Sequence, residues 1–254
     1  MILPILSLLI AYTQAFTPSH LSVGWSFQSS TSSLFSVPST TASFIQTELR
    51  GAAMKLHTTQ QAPKEGGINV KDESPKKRYI PTREDYVRFL VDSQHVFQTL
   101  EDFVNREEGL TLFQDTGLER VKGLETDINF LMSTYGLERP DVSKKAKWYA
   151  KHIGDIKSNP QFMCHYYNFY FAHTAGGLMI GKKMANLLLA DKTLEFYKWK
   201  GDLQQMKEGV KGDIESMAAT WSREEKDDCV NQTRYAFRGG GGVNFNLSGK
   251  NSSH

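Results

Sequence analysis

Residues Cys164 to Lys183 read CHYYNFYFAHTAGGLMIGKK. Apolar and aromatic side chains recur at three- and four-residue steps on both sides of Ala175-Gly176-Gly177, the spacing of a buried α-helix. Two adjacent glycines in the middle of such a helix cost about 1 kcal/mol each relative to alanine. Something other than helix propensity therefore holds them there. His165, Phe169, Ala172, His173, Gly176 and Ile180 recur at roughly helical spacing, so one face combines two imidazoles, aromatic rings and a stripe almost bare of side chains. Spacing alone leaves two readings open. A second helix packs closely on the stripe, as the small-x-x-x-small spacing of Gly177 and Gly181 allows, or a flat ligand lies against it.

Outward from this segment the same helical period dominates from Phe44 onward, and alternating runs bounded by turns are hard to find, so the fold class expected is all-α in a single domain. A first helix covers SFIQTELRGAAMKLHTTQQA and stops before Pro63. A Gly- and Lys-containing linker then leads to Pro81. Thr82, with Asp85 three residues on, caps the helix that carries Tyr86, Phe89, Leu90, Phe97 and Leu100. GLERVKGLETDINFLMSTYG and the basic KKAKWYAKHIGDIK supply two more, and Pro160 suits the first turn of the segment that follows. Gly201 breaks the chain near Asp202. Ser222 and Glu225 form a capping box for a last helix running towards Phe237. Four consecutive glycines, Gly239 to Gly242, and a polar end follow, so order is expected to fail after Arg238.

The N-terminus has a different composition. No Lys, Arg, Asp or Glu occurs before Glu48, although the whole chain of 254 residues is nearly neutral at +2. MILPILSLLIAYTQA is too short to span a bilayer and ends on a small residue, which suits a cleaved signal peptide over residues 1–15. From Phe16 to Gln46, 14 of 31 residues are Ser or Thr, the bias of an organellar transit segment, here assigned to 16–47. Signal then transit, with an aromatic at the junction, resembles the bipartite presequence of algae with complex plastids and implies delivery to the plastid stroma. The domain is expected over 48–238 and a flexible tail over 239–254.

Several chemistries find no support. Cys164 and Cys229 lie far apart in sequence without a C-x-x-C partner, which reads as buried free thiols. No Glu-x-x-His, G-x-S-x-G or G-x-x-x-x-G-K followed by Ser or Thr occurs, against carboxylate-bridged iron, a serine elbow and a phosphate loop. Basic clusters are balanced by acidic neighbours, and no nucleic-acid motif accompanies them. His57 lies with Leu49, Ala53 and Leu56 at the edge of an apolar helical face; taken alone it reads as a hydrogen-bonded core histidine or as a metal ligand.

Taken in order, MKLHTTQQA, LVDSQHVFQTLE, TGLERVKGLETDI, FMCHYYNFYFAHTAGGLMIGKK, LEFYKWKGDLQQM and WSREEKDDC resemble the plastid-type haem oxygenases, from about Glu48 to Phe237. The resemblance implies one helical domain holding haem, both substrate and cofactor, between a proximal and a kinked distal helix. His57 matches the axial ligand of the haem iron. Ala172, His173, Gly176 and Gly177 match the distal segment, where backbone approaches the macrocycle and His173 orients a water network that delivers protons. Arg50, Tyr167, Lys207 and Lys211 fall where the family contacts the haem propionates, and Phe237 falls in the last pocket helix.

The reaction implied opens haem at one meso carbon to biliverdin, carbon monoxide and ferrous iron. Electrons come from reduced ferredoxin, and a bilin reductase is a partner downstream. A monomer is expected, with no membrane span in the mature protein. A non-catalytic tetrapyrrole-binding homologue is the alternative; such relatives lack the ligand histidine, and retention of His57 favours the enzyme. RGGGGVNFNLSGK departs from the apolar end of the family's final helix, which implies a looser pocket.

Overall fold

The computed structural model describes residues 43–61 and 79–248. The expected signal and transit segments, all but Ser43 to Thr47, lie outside these residues, as do most of the linker before Pro81 and the last six residues of the tail. Every regular element among the described residues is helical: α1 (Arg50–Gln61), α2 (Arg83–Arg106), α3 (Val121–Tyr135), α4 (Lys144–Gly154), α5 (Asn159–Ala172), α6 (Leu178–Leu188), α7 (Leu203–Ala219), α8 (Arg223–Asn231) and α9 (Thr233–Asn244).

Local chemistry sets most of the boundaries. Thr82 and Asp85 cap α2 reciprocally, and Ser222 and Glu225 do the same for α8, each satisfying two amides that the first helical turn leaves without partners. Gly136 ends α3 at φ 64°, a left-handed C-cap for which glycine carries no Cβ penalty. The expected start of α3 at Gly117 moves to Val121. Glu119 accepts hydrogen bonds from the Thr116 and Gly117 amides, at 2.8 and 2.9 Å, and holds those residues in a turn instead.

The long helix α2 lies at the centre, packed on α3 and α4, while α5 packs on α8 and α9. Phe97 of α2 is fully buried, its ring 4.9 Å from Phe169, 5.1 Å from Tyr170, 5.8 Å from His173 and 5.7 Å from Phe196. Phe103 stacks on Phe162 at 3.9 Å. Burial of rings of this size dominates the stabilisation of such a core, at roughly 2–3 kcal/mol each. Cys164 and Cys229 are buried free thiols that meet between α5 and α8.

Two boundaries differ from expectation. Structure is already in place from Ser43, ahead of the expected domain start at Glu48: Glu215 of α7 accepts the Phe44 and Ile45 amides at 3.0 and 2.8 Å and so caps the wide turn Ile45–Leu49 that leads into α1. At the other end, order does not fail after Arg238. The glycine run is the middle of α9, and Val243 and Leu247 beyond it are buried. Asn246 donates to buried Asp92 at 2.8 Å.

Tertiary contact explains why a four-glycine helix persists. A Cβ on Gly239 would sit 2.3 Å from the Tyr149 ring, whereas one on Gly240 or Gly241 meets nothing within 4 Å. Opposite signs follow. Gly240→Ala and Gly241→Ala are each expected to stabilise by about 0.5–1 kcal/mol through helix propensity, and Gly239→Ala to destabilise by about 1–3 kcal/mol through overpacking. Urea unfolding midpoints check both, and a stabilising Gly239→Ala would contradict the contact.

Candidate active site

The segment from Asn159 to Leu188 runs as one helix through both glycines, α5 and α6 being joined by a widened, π-type turn over His173–Gly177. Gly177 has φ −58° and ψ −43°, ordinary helical values, so neither a break nor a positive φ accounts for it. A π turn inserts one extra residue into the hydrogen-bond ladder and bends a helix where it occurs.

The two glycines have separate causes. A Cβ on Gly176 would meet open space, and Ala172, one turn before it, is exposed. Together they leave a low, accessible stripe. A Cβ on Gly177 would instead lie 2.8 Å from His173 Nδ1, and one on Gly181 would lie 2.8 Å from the Tyr197 ring. Close packing thus explains Gly177 and Gly181, while Gly176 is the position where something from outside the helix can approach.

His173 itself is buried. Its Nε2–H donates to the Phe196 carbonyl at 2.8 Å, and its ring stacks on Phe196 at 4.0 Å, with Tyr197 and Trp199 each at 5.4 Å. Burial pushes its pKa down to about 3, against the effect of the hydrogen bond to Phe196. The imidazole is therefore neutral at physiological pH and, since a carbonyl only accepts, carries its proton on Nε2. Tyr149 and Gln232 hold His165 in the same way: the tyrosine hydroxyl donates to Nδ1 at 3.0 Å, and Nε2–H donates to Gln232 Oε1 at 3.1 Å. Gln232 also accepts from His152, at 3.1 Å. Gln232 and Tyr149 were not singled out in the sequence, where nothing marks either as a partner of His165.

On α1, His57 is half-buried with its ring 4.7 Å from Phe237 of α9 at an edge-on angle of 71°. Desolvation lowers its pKa, which favours the neutral imidazole, the form that ligates metals. The structure thus brings together two of the expected site residues, one from each end of the domain.

A third group gathers around α7. Lys207 and Lys211 are one turn apart, and desolvation lowers the pKa of Lys207, with the Lys211 charge adding to the effect. Lys211 is largely buried and pairs with Glu208 at 2.8 Å. Its ammonium lies 5.8 Å from the ring of Phe171, which stacks on Tyr167 at 4.6 Å. Two cations and a phenol therefore share one neighbourhood. Arg50 opens α1, where its guanidinium donates to Gln46 at 3.0 Å.

These buried groups make stability pH-dependent. His57, His165 and His173 have folded pKa values below the ordinary imidazole value of 6.5, with His165 pushed down to about 4 by burial. As pH falls below 6.5, the unfolded chain takes up protons at these three sites that the folded chain refuses. Asp127 and Glu101 act oppositely, burial raising the former to about 6 and the latter above its usual range. The large shifts alone, His165 and His173 against Asp127, leave a net uptake of about one proton on unfolding, so stability should fall by about 1.4 kcal/mol per unit between pH 6 and 4. Urea midpoints across that range measure it; a flat profile would contradict the burial of the histidines.

Residues 45–239 match the family model "Heme oxygenase". The chain is 41% identical over 212 residues to "Heme oxygenase 1, chloroplastic" of Arabidopsis thaliana, which covers 81% of this chain and 74% of the relative. It is 42% identical over 194 residues to the rice (Oryza sativa subsp. japonica) protein of the same name, covering 75% of this chain and 66% of that one. It is 36% identical over 173 residues, 66% of this chain and 56% of the relative, to "Probable inactive heme oxygenase 2, chloroplastic" of Arabidopsis thaliana. A family match over most of the ordered domain, with substantial identity across it, leaves one conclusion: the chain belongs to the haem oxygenase family, with haem as its substrate.

Proposed function

We propose that haem lies between His57 on one side and the open stripe at Ala172 and Gly176 on the other, and that the protein converts it to biliverdin, carbon monoxide and ferrous iron. The observation that carries this reading is His57: half-buried, its imidazole held towards the neutral form by desolvation and packed edge-on against Phe237, it has the chemistry of an iron ligand. The open space at Gly176 fits a flat macrocycle, since any side chain there would occupy its place. When bound, haem supplies the iron at which dioxygen is activated.

The chain's own residues bind, orient and exclude. His57 would hold the haem iron through its neutral imidazole. Ala172 and Gly176 admit the ring plane and bring helix backbone against it. Lys207, Lys211, Tyr167 and Arg50 receive the propionates, where cations and a hydroxyl suit carboxylates. Packing Lys207 and Lys211 one turn apart under partial desolvation favours a bound dianion over bulk water. His173, neutral and donating to Phe196, does not itself release a proton near neutral pH; it orients distal water through its position.

Electrons come from reduced ferredoxin, whose acidic surface suits the basic residues Lys144, Lys145, Lys147 and Lys151 of α4. The site of action is the plastid stroma, supported by the chloroplastic relatives and by the serine- and threonine-rich N-terminus. A bilin reductase then consumes the product. Among the described residues no helix is long and apolar enough to cross a membrane.

The test mixes the chain with haem, ferredoxin, ferredoxin reductase and NADPH and follows the absorption spectrum. Loss of the haem bands with growth of biliverdin is expected. A stable haem spectrum would instead identify a tetrapyrrole-binding protein without turnover.

A further inference from the structure

Asp127 of α3 is buried beneath the single 3-10 turn Glu195–Tyr197 and makes two hydrogen bonds to its backbone. One carboxylate oxygen accepts the Glu195 amide at 2.9 Å and the other accepts the Phe196 amide at 2.6 Å. The carbonyl of Phe196 points away to His173, whose Nε2–H it receives at 2.8 Å, and Arg120 donates to the same carbonyl at 3.4 Å and to that of Lys198 at 2.6 Å. The turn is thus gripped at its amides by one carboxylate and at its carbonyls by one guanidinium. Held this way, the turn presents the Phe196 carbonyl as an acceptor to His173.

From this relay we infer that Asp127 is a positioning residue for the reaction: by fixing the Phe196 carbonyl it holds His173 in the Nε2–H tautomer, with bare Nδ1 set against Gly177. The inference rests on the distal role proposed for His173. A carboxylate is required, because only it offers two acceptors to two adjacent amides. The amide of an asparagine would place N–H groups against one of them and leave a buried donor without a partner. Freed from its clamp, the turn tilts, the Phe196 carbonyl moves off the imidazole axis, and the Nδ1–H tautomer becomes populated. Nδ1, which lies against Gly177, then changes from acceptor to donor, which reverses the polarity on that side of the imidazole.

The experiment uses the haem-free protein with 15N-labelled histidine and reads the long-range 1H–15N correlations of His173, alongside turnover with haem. Wild type should show Nε2 protonated and Nδ1 bare. In Asp127→Asn the two nitrogen shifts should move towards each other, and kcat should fall roughly ten-fold, the scale of orienting contacts behind a functional imidazole. KM for haem should change less than about two-fold, because no haem contact is touched.

Glu195→Pro provides a milder second variant. It deletes only one of the two amides, and Leu194 before it is already extended, as a residue preceding proline requires. A smaller shift in the same direction is expected. Unchanged His173 shifts in both variants, or in Glu195→Pro alone if Asp127→Asn does not fold, would overturn the relay. Should the shifts move while His173→Gln keeps wild-type kcat, the relay stands as a structural contact, and the parts of both His173 and Asp127 in the reaction are refuted.

Discussion

Biliverdin formation should fall by more than about 100-fold in His57→Ala, a loss of roughly 3 kcal/mol of barrier lowering. Alanine is the best helix former, and His57 is only half-buried at the end of the domain where α1 packs on α9. The fold should therefore survive, and lost activity would report lost ligation. The Phe237 ring that braced the imidazole then borders a gap of imidazole size. Added imidazole should enter that gap, restore the ferric haem spectrum and recover part of the turnover. Activity within a few-fold of wild type, without imidazole, would remove His57 from the iron.

Gly176→Leu should weaken haem affinity by at least about ten-fold, or ~1.4 kcal/mol, or else block oxygen binding to the complex. A Cβ at this position meets nothing in the protein, so the helix accepts the change and even gains propensity. Circular dichroism and unfolding should be near wild type. What the leucine fills is the space from which the macrocycle approaches. Titration of haem and the spectrum of the oxygen complex separate the two effects. Normal haem affinity together with a normal oxygen complex would mean that the stripe is not where haem lies.

Gly176 also illustrates the limits of spacing. Both glycines sit in one dipeptide with the same helical period around them, and nothing local distinguishes them. His173, one turn back, leaves no room for a Cβ on Gly177 because its ring is drawn down to the Phe196 carbonyl, a residue 23 positions on. A contact between positions so far apart is invisible to any local reading. The same holds for the glycine run in α9. Its composition reads as a disordered tail because glycine is entropically costly in a helix, and only the Tyr149 ring, supplied by α4, makes Gly239 the residue that fits.

The sequence by itself determined the all-α class, the capped starts of α2 and α8, the helical face of Cys164 to Lys183 and, by resemblance along the chain, the family and its candidate residues. These properties are local or cumulative: periodicity, capping boxes and ordered motifs need no knowledge of what lies opposite. Tertiary structure alone decided which side chains meet. It joined His57 to Phe237, placed Lys211 over the ring stacked on Tyr167, buried His173 as a neutral Nε2–H donor and set Asp127 under the turn that receives it. Partners 23 to 180 positions apart are chosen by how helices pack, and tautomer and charge follow from the burial and acceptors that packing supplies.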